Sequence, residues 1–378
     1  MKKEVFEAIA TLVGVVIGAG ILGIPYVIAK SGLLVGIIDI LIIGATMLMM
    51  NLFLGEIVLR TRGDHQLTGY AEIYLGQKGK FFMTLAMFIG TYGALTAYLI
   101  GEGKVLSAIF GGPEILYSLI FFLIVSIIVA NGIKMVEKAE LLFVTIFLTI
   151  IIAICAIAIF HTNTANWVEY DFTQMFLPFG VVLFAFLGSA AIPEMREELI
   201  NHRKDMKKAI LIGSCIPIIV YLLFAAAVVG VSGKDTTEIA TIGLGQNLGE
   251  GMIILSNIFA MLTMTTAFIA LSLAIVEVWN YDYKLKRKFS LWLTLSIPLI
   301  AFLLGIKSFI NTIGIVGAFA GGIEGILIVM MMMKARKYGN RTPEYSIKGA
   351  KIISVLIMTV FILGMAYVVL KNLKMISF

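Results

Sequence analysis

Apolar runs of 18 residues or more recur along the whole chain, and charged residues gather in the short stretches between them. A run of that length crosses a hydrocarbon core of about 30 Å as a helix. The runs predict about eleven transmembrane helices, spans 1 to 11. They lie at roughly residues 5–29, 32–59, 81–109, 114–131, 139–160, 176–195, 208–231, 250–280, 289–304, 308–333 and 348–370. Only short loops remain, which leaves no room for a soluble catalytic domain. The expectation is one all-α integral membrane domain over residues 1–378.

Composition agrees. Of 378 residues, 60% are hydrophobic and 14% charged. Soluble domains run near 45–50% apolar and about 25% charged. An ordinary soluble enzyme and a disordered chain are both excluded. Cys155 and Cys215 each fall within an apolar run, with no disulfide framework and no metal-ligand spacing. The first apolar run is too long for the core of a cleaved signal peptide. His65 and His202 fall in loops and His161 at a span end, so no pair has ligand spacing. No cofactor is expected.

The net charge is +6, but its placement matters more than its sum. With the N-terminus inside and eleven crossings, the cytoplasmic segments hold 23 of the 29 Lys and Arg, Lys134 and Lys138 among them. The outside holds five: Lys30, Lys234, Lys307, Lys371 and Lys374. That bias follows the positive-inside rule. It predicts a multi-pass protein of the plasma membrane with a cytoplasmic N-terminus and an extracytoplasmic C-terminus. The basic clusters are then topogenic loops, and no nucleic acid partner is expected. The outside loops 161–175 and 232–249 are the longest; the second is either a cover over an outer vestibule or a plain connector.

The sharpest local feature is Gly18-Ala19-Gly20-Ile21-Leu22-Gly23-Ile24-Pro25 in span 1. It satisfies G-x-G-x-x-G, yet a dinucleotide fingerprint needs a βαβ unit, and an open sheet does not sit in hydrocarbon. Glycines four apart, such as Gly14 and Gly18, also let membrane helices pack closely. The third reading is a broken helix: three glycines and a proline weaken the i→i−4 ladder. Unpaired backbone groups at membrane depth are tolerated where they line a polar cavity. A broken helix at a transporter site predicts a matching break in the second half. Span 6 supplies it, in Phe184-Ala185-Phe186-Leu187-Gly188-Ser189-Ala190-Ala191-Ile192-Pro193. Spans 1–5 (about 5–160) and spans 6–10 (about 176–333) then form two halves, inverted because each holds an odd number of spans. Span 11, about 348–370, is an extra helix.

These residues resemble the amino acid/auxin permease group and its relatives, the bacterial aromatic amino acid permeases, of the amino acid-polyamine-organocation superfamily. The matching segments are Ile17–Pro25, Leu95–Gly103, Phe184–Gly188 through Ile192-Pro193, and Lys208–Ser214 through Ile216-Pro217. The resemblance covers essentially the whole chain. It implies the leucine-transporter type of 5+5 inverted repeat, with helices 1 and 6 discontinuous, and secondary active transport of amino acids. Carried over by position, the substrate carboxylate would meet Val16, Gly18, Ala19 and Gly20. The amino group would meet span 6 near Ala185, Phe186 and Ser189, next to Gly188. Phe184 and Phe186 would wall the side-chain pocket. Tyr98 would close the site, with Tyr92 an equal alternative and core packing the plain reading of either.

Two coupling ions fit. The sodium arrangement of this fold corresponds to carbonyls of Gly14, Ile17 and Leu262 with the hydroxyls of Thr265 and Thr266. The span 8 members follow i, i+3, i+4 and share one helix face, and all the ligands are oxygens, as a hard cation requires. Membrane threonines also bond their own i−4 carbonyls, which needs no ion. Proton coupling instead needs a titratable group in the path. Glu324 and Asp39 are the leading candidates, with Glu102 and Lys104 toward the outer end of span 3. Glu194, Glu197 and Glu198, at the inner end of span 6, read as interfacial ion pairs.

The expected function is cation-coupled symport, with H+ or Na+, of a neutral amino acid with an aromatic or branched side chain. Alternating access would rock spans 1, 2, 6 and 7 against spans 3, 4, 8 and 9. The partners are the amino acid and the lipid bilayer. A non-transporting amino acid sensor and an uncoupled facilitator of the same fold are the alternatives. A channel would want a continuous polar pore. An intramembrane enzyme would want converging nucleophile and base, and no such cluster stands in the sequence.

Overall fold

The computed structural model describes residues 2–132, 140–168 and 171–373. Lys134, Lys138 and Lys374, counted above among the loop charges, lie outside the described residues. Every element described is helical. With no water at membrane depth, a segment must satisfy its backbone internally, and the helix does so.

Helix α1 (Lys3–Val16) stops short, a 3-10 turn covers Ala19–Leu22, and α2 (Ile24–Ser31) resumes at a 46° bend. Pro25 sits in the first turn of α2, where its missing N–H breaks no intrahelical bond. Next come α3 (Leu33–Arg60) and α4 (Leu67–Phe110). The hydropathy pattern starts span 3 at residue 81, but α4 begins at Leu67 and kinks at Gly76, whose φ of 72° favours glycine. Helices α5 (Glu114–Ala130), α6 (Glu140–Ile159) and the short α7 (Ala165–Val168) follow. The second break separates α8 (Phe179–Ala185) from α9 (Ala191–Glu198), with Pro193 again in a first turn. Then come α10 (Met206–Ser232), α11 (Ala240–Leu248), α12 (Glu250–Glu277) and α13 (Arg287–Leu303). A π turn over Gly317–Gly321 joins α14 (Phe309–Val316) to α15 (Gly322–Tyr338), and α16 spans Ala350–Asn372.

Among the described residues seven helices are long and apolar enough to cross a membrane, eight when the bent pair α1–α2 is one span. That is fewer than the eleven apolar runs. Each of the other three runs is helical but short. Helices α5 and α13 have 17 residues each, about 26 Å of rise, and the sixth run is split by its break.

Two packing groups emerge. Helices α1, α9 and α10 pack on one another, and α10 lies along α3. Helix α4 packs on α5, α12 and α13. Helix α15 touches both α3 and α4, and α16 lies on α15.

The loops also sort to two ends. At the N-terminal face, Arg196 reaches from α9 to the carbonyls of Thr61 and Gly63 and to Asp64. The buried Glu56 carboxylate collects Arg60, Arg336, Ser346 and the Ile347 N–H, which straps loop 339–349 across the end of α3. At the opposite face, loop 232–249 is a folded element rather than a plain connector. Its Glu238 accepts from Lys104 at 2.5 Å and from Ser308 at 2.9 Å, which ties the loop to α4 and to the start of α14.

Candidate functional site

The two breaks lie side by side in the middle of the bundle. A Cβ placed on Gly20 would stand 2.6 Å from the Ala185 Cα, so the 3-10 turn of the first break rests on the backbone of the second. Gly188 rests on the Val16 side chain in the same way. Gly18 is different: nothing stands within 4 Å of where its Cβ would be. The Gly18 N–H turns back to the Val16 carbonyl at 2.9 Å, one of the local bonds that ends α1. The N–H groups of Ala19 and Gly20 open a helical turn, where by position they have no intrahelical acceptor.

Val16, expected to face a carboxylate, offers the site a carbonyl, which is an acceptor. That carbonyl and the Ala185 carbonyl, each at the C-terminal end of a half-helix, both lie against the Tyr221 hydroxyl, at 2.7 and 2.8 Å. Tyr221 is fully buried on α10, and its ring meets the Phe186 ring edge-on at 4.9 Å. The Phe186 ring therefore points into the α1–α3–α10 group and lines a small crevice with Gly44, Asn51 and Ser214. The Phe184 backbone rests on Gly317 of the π turn. Tyr98 is buried on α4. Tyr92 is taken up elsewhere: its hydroxyl accepts from the Trp279 indole at 2.7 Å, in a cluster with Phe88.

Two residues singled out for different reasons meet here. The Ser189 hydroxyl, in the second break, donates to the carboxyl of Glu324, buried on α15. Asp39 stands apart on α3, and its Oδ2 has no hydrogen-bond partner among the described residues.

The residues of the sodium arrangement use their hydroxyls otherwise. Thr265 donates to Glu102 at 2.9 Å. Thr266 donates to the Leu262 carbonyl, one of the expected ligands, at 2.8 Å. Gly14 lies within α1, and Ile17 is the cap that ends it. Glu198 accepts from the Thr11 hydroxyl of α1 at 2.8 Å, so its partner is a hydroxyl rather than a basic group.

Sequence reasoning missed Tyr221 and the Glu102–Thr265 pair. A tyrosine inside an apolar run carries no signal that its hydroxyl serves two broken helices.

The model of the tryptophan/tyrosine permease family matches residues 1–368. The chain is 25% identical over 358 residues to glutamine transporter 2 of Aliivibrio fischeri, covering 89% of this chain and 90% of the relative. It is 24% identical over 395 residues to tyrosine-specific transport system 1 of Haemophilus influenzae, covering 96% of each. The crystal structure of MhsT in complex with L-phenylalanine superposes with a TM-score of 0.70 over 98% of both chains, at 14% identity. At that identity the likeness is one of fold, the leucine-transporter type. The relatives are transporters and permeases, not enzymes.

Proposed function

Because the chain belongs to the tryptophan/tyrosine permease family, we propose that it is a proton-coupled symporter importing a neutral amino acid, aromatic or branched, across the plasma membrane. The observation that carries the coupling is the hydrogen bond from Ser189 to Glu324. A proton held at Glu324 and a substrate held at the second break would share that bond. Ionisable groups at membrane depth are costly and usually functional. With Thr265 on Glu102 and Thr266 on the Leu262 carbonyl, both hydroxyls of the sodium arrangement have protein partners, which favours the proton.

The substrate's carboxylate lies at the N–H groups of Ala19 and Gly20, beside the open space at Gly18, and its ammonium at the carbonyl ends of the two half-helices. Tyr98 closes the site. A neutral substrate draws support from relatives named for glutamine and tyrosine, and an aromatic one from the second alone. The architecture is a 5+5 inverted repeat of spans 1–10 with span 11 added. In it α1–α3 and α8–α10 rock against α4, α5, α12 and α13. The N-terminal face, with its basic loops, is cytoplasmic.

The test is uptake of labelled L-tyrosine, L-leucine and L-glutamine into proteoliposomes under an imposed pH or sodium gradient. Accumulation above equilibrium should follow the pH gradient. Glu324→Gln should abolish it while leaving substrate exchange. Accumulation driven by sodium alone, and lost in a Thr265→Ala/Thr266→Ala pair, would overturn the proton reading. No gradient-driven accumulation would leave a facilitator or a sensor.

A further inference from the structure

We propose that Tyr221 is a positioning residue that holds the carbonyls of Val16 and Ala185 together as the receptor for the substrate's ammonium group; this rests on the amino acid reading above. Four observations converge. The Tyr221 hydroxyl lies 2.7 Å from one carbonyl and 2.8 Å from the other. The two carbonyls end different half-helices, α1 and α8, and each end carries the negative side of a helix dipole. A phenol has one proton to donate and each carbonyl has two lone pairs; with the Gly18 N–H already on the Val16 carbonyl, the pair still keeps open acceptor positions. The side chain is fully buried and braced by Phe186, so the hydroxyl has one place to be.

An arriving ammonium donates to the lone pairs that the Tyr221 hydroxyl and the Gly18 N–H leave open. The hydroxyl stays between the two carbonyls and keeps their spacing while the ammonium bonds to them from the site. The recognition is chemical: it selects a group that is cationic and carries N–H, and it rejects a substrate analogue with the same side chain and carboxylate but no amine. Tyr221 also joins the two breaks from a third helix, α10, so the spacing of the two acceptors does not depend on the substrate being present.

The experiment compares each amino acid with its des-amino acid as competitors of uptake in proteoliposomes. The pairs are L-tyrosine with 3-(4-hydroxyphenyl)propionate and L-leucine with 4-methylpentanoate. In wild-type protein the des-amino acid should compete at least about tenfold more weakly, the worth of one well-placed hydrogen bond. Tyr221→Phe keeps the ring against Phe186 and removes only the hydroxyl. It should raise the KM of the amino acid about tenfold with kcat changed less than about threefold. The des-amino acid should compete as before, so that the advantage of the amine collapses. A structural role alone would weaken both competitors alike, and that result overturns the inference. Equal competition by the des-amino acid in the wild type overturns it as well, even if the variant fails to fold. Transport of neither amino acid by the wild type sinks the aromatic or branched substrate reading and this inference together. Amino acid transport with an unchanged ratio in Tyr221→Phe sinks this inference alone.

Discussion

Replacing Gly20 by alanine adds one methyl where the two broken helices touch. The new Cβ would lie 2.6 Å from the Ala185 Cα, 2.8 Å from its Cβ and 3.2 Å from its nitrogen. Carbon atoms rest at about 3.5–4.0 Å, so the breaks must part by about 1 Å. The atoms in the way belong mainly to backbone, which cannot swing aside as a side-chain tip can. Overpacking of this kind costs about 1–3 kcal/mol, a factor of about 5 to 150 in an equilibrium constant. A displacement of about 1 Å at a site that must align several groups costs about a hundredfold in rate. Gly20→Ala should therefore melt below wild type in detergent and lose at least about tenfold in kcat/KM for uptake. Gly18→Ala is the internal control. Its Cβ meets nothing within 4 Å, and its φ of −118° is open to any residue. That variant should melt with the wild type, and any loss should fall on substrate affinity, because the methyl occupies free space at the site. Wild-type uptake and melting in Gly20→Ala, or a larger destabilisation in Gly18→Ala, would refute the packing of the two breaks described here.

Ser189→Ala removes the donor to Glu324; it should cut pH-driven accumulation several-fold while costing only about 1 kcal/mol of stability, and full coupling in the variant would count against Ser189 as the link. Thr265→Val leaves Glu102 without its donor when its other oxygen already has no partner among the described residues; a loss of about 1–3 kcal/mol is expected in thermal unfolding, with ion preference unchanged, and a change of driving ion would show that the threonine holds a cation instead. Arg196→Gln strips contacts to Thr61, Gly63 and Asp64 and should open the N-terminal face: in a background without Cys155 and Cys215, the buried Leu199 replaced as Leu199→Cys should react faster with an impermeant maleimide, and equal rates would rule out the latch. The Glu344 carboxyl lies in the loop outside the membrane, where burial raises its pKa but hydrogen bonds from Arg341 and its own backbone bring it below the usual value of 4.5. A carboxyl held low lends stability above its unfolded pKa and loses it as pH falls through the folded one, so acidification from pH 7 toward about 3 should lower the melting temperature more in wild type than in Glu344→Gln.

The helices were legible because hydrocarbon permits little else. Apolar length located the seven or eight helices long enough to cross among the described residues, and the shorter runs at α5 and α13 are helices as well. Both breaks were legible too, because glycine and proline act on the chain locally. Pro25 and Pro193 each open the second half-helix, as a residue without an N–H does most cheaply. What stayed hidden is which side chains meet. Along α3, α4 and α6 the few polar residues form no continuous stripe, so the pattern does not tell how each helix is rotated about its axis. Thr265 could therefore be set on a helix face but not matched with Glu102, and Glu324 could be placed deep in a span but not against Ser189. The Glu56 strap was out of reach for a related reason: its partners come from residues 60, 336, 346 and 347, and loop composition does not specify where a loop lands.

The division of labour at the centre explains how such a site can persist in a membrane. Interrupting two helices exposes several backbone groups, each costing roughly 2–7 kcal/mol if left bare in an apolar setting. In the symporter proposed above, substrate would cover them only while bound, and the carrier must also return empty. Here cover comes from two helices not interrupted at those points. Tyr221 of α10 brings one hydroxyl to the two carbonyl ends, and Glu324 of α15 brings one carboxyl to the Ser189 hydroxyl of the second break. Neither satisfies the site completely: beyond the Tyr221 proton and the Gly18 N–H the two carbonyls keep open lone pairs, and the N–H groups of Ala19 and Gly20 have no intrahelical acceptor. On the proposed reading, partial cover keeps the empty site tolerable and still leaves something for a zwitterion to gain on entering. Stronger permanent partners would remove the reason to bind, and weaker ones would leave the breaks unsupported once the substrate had gone.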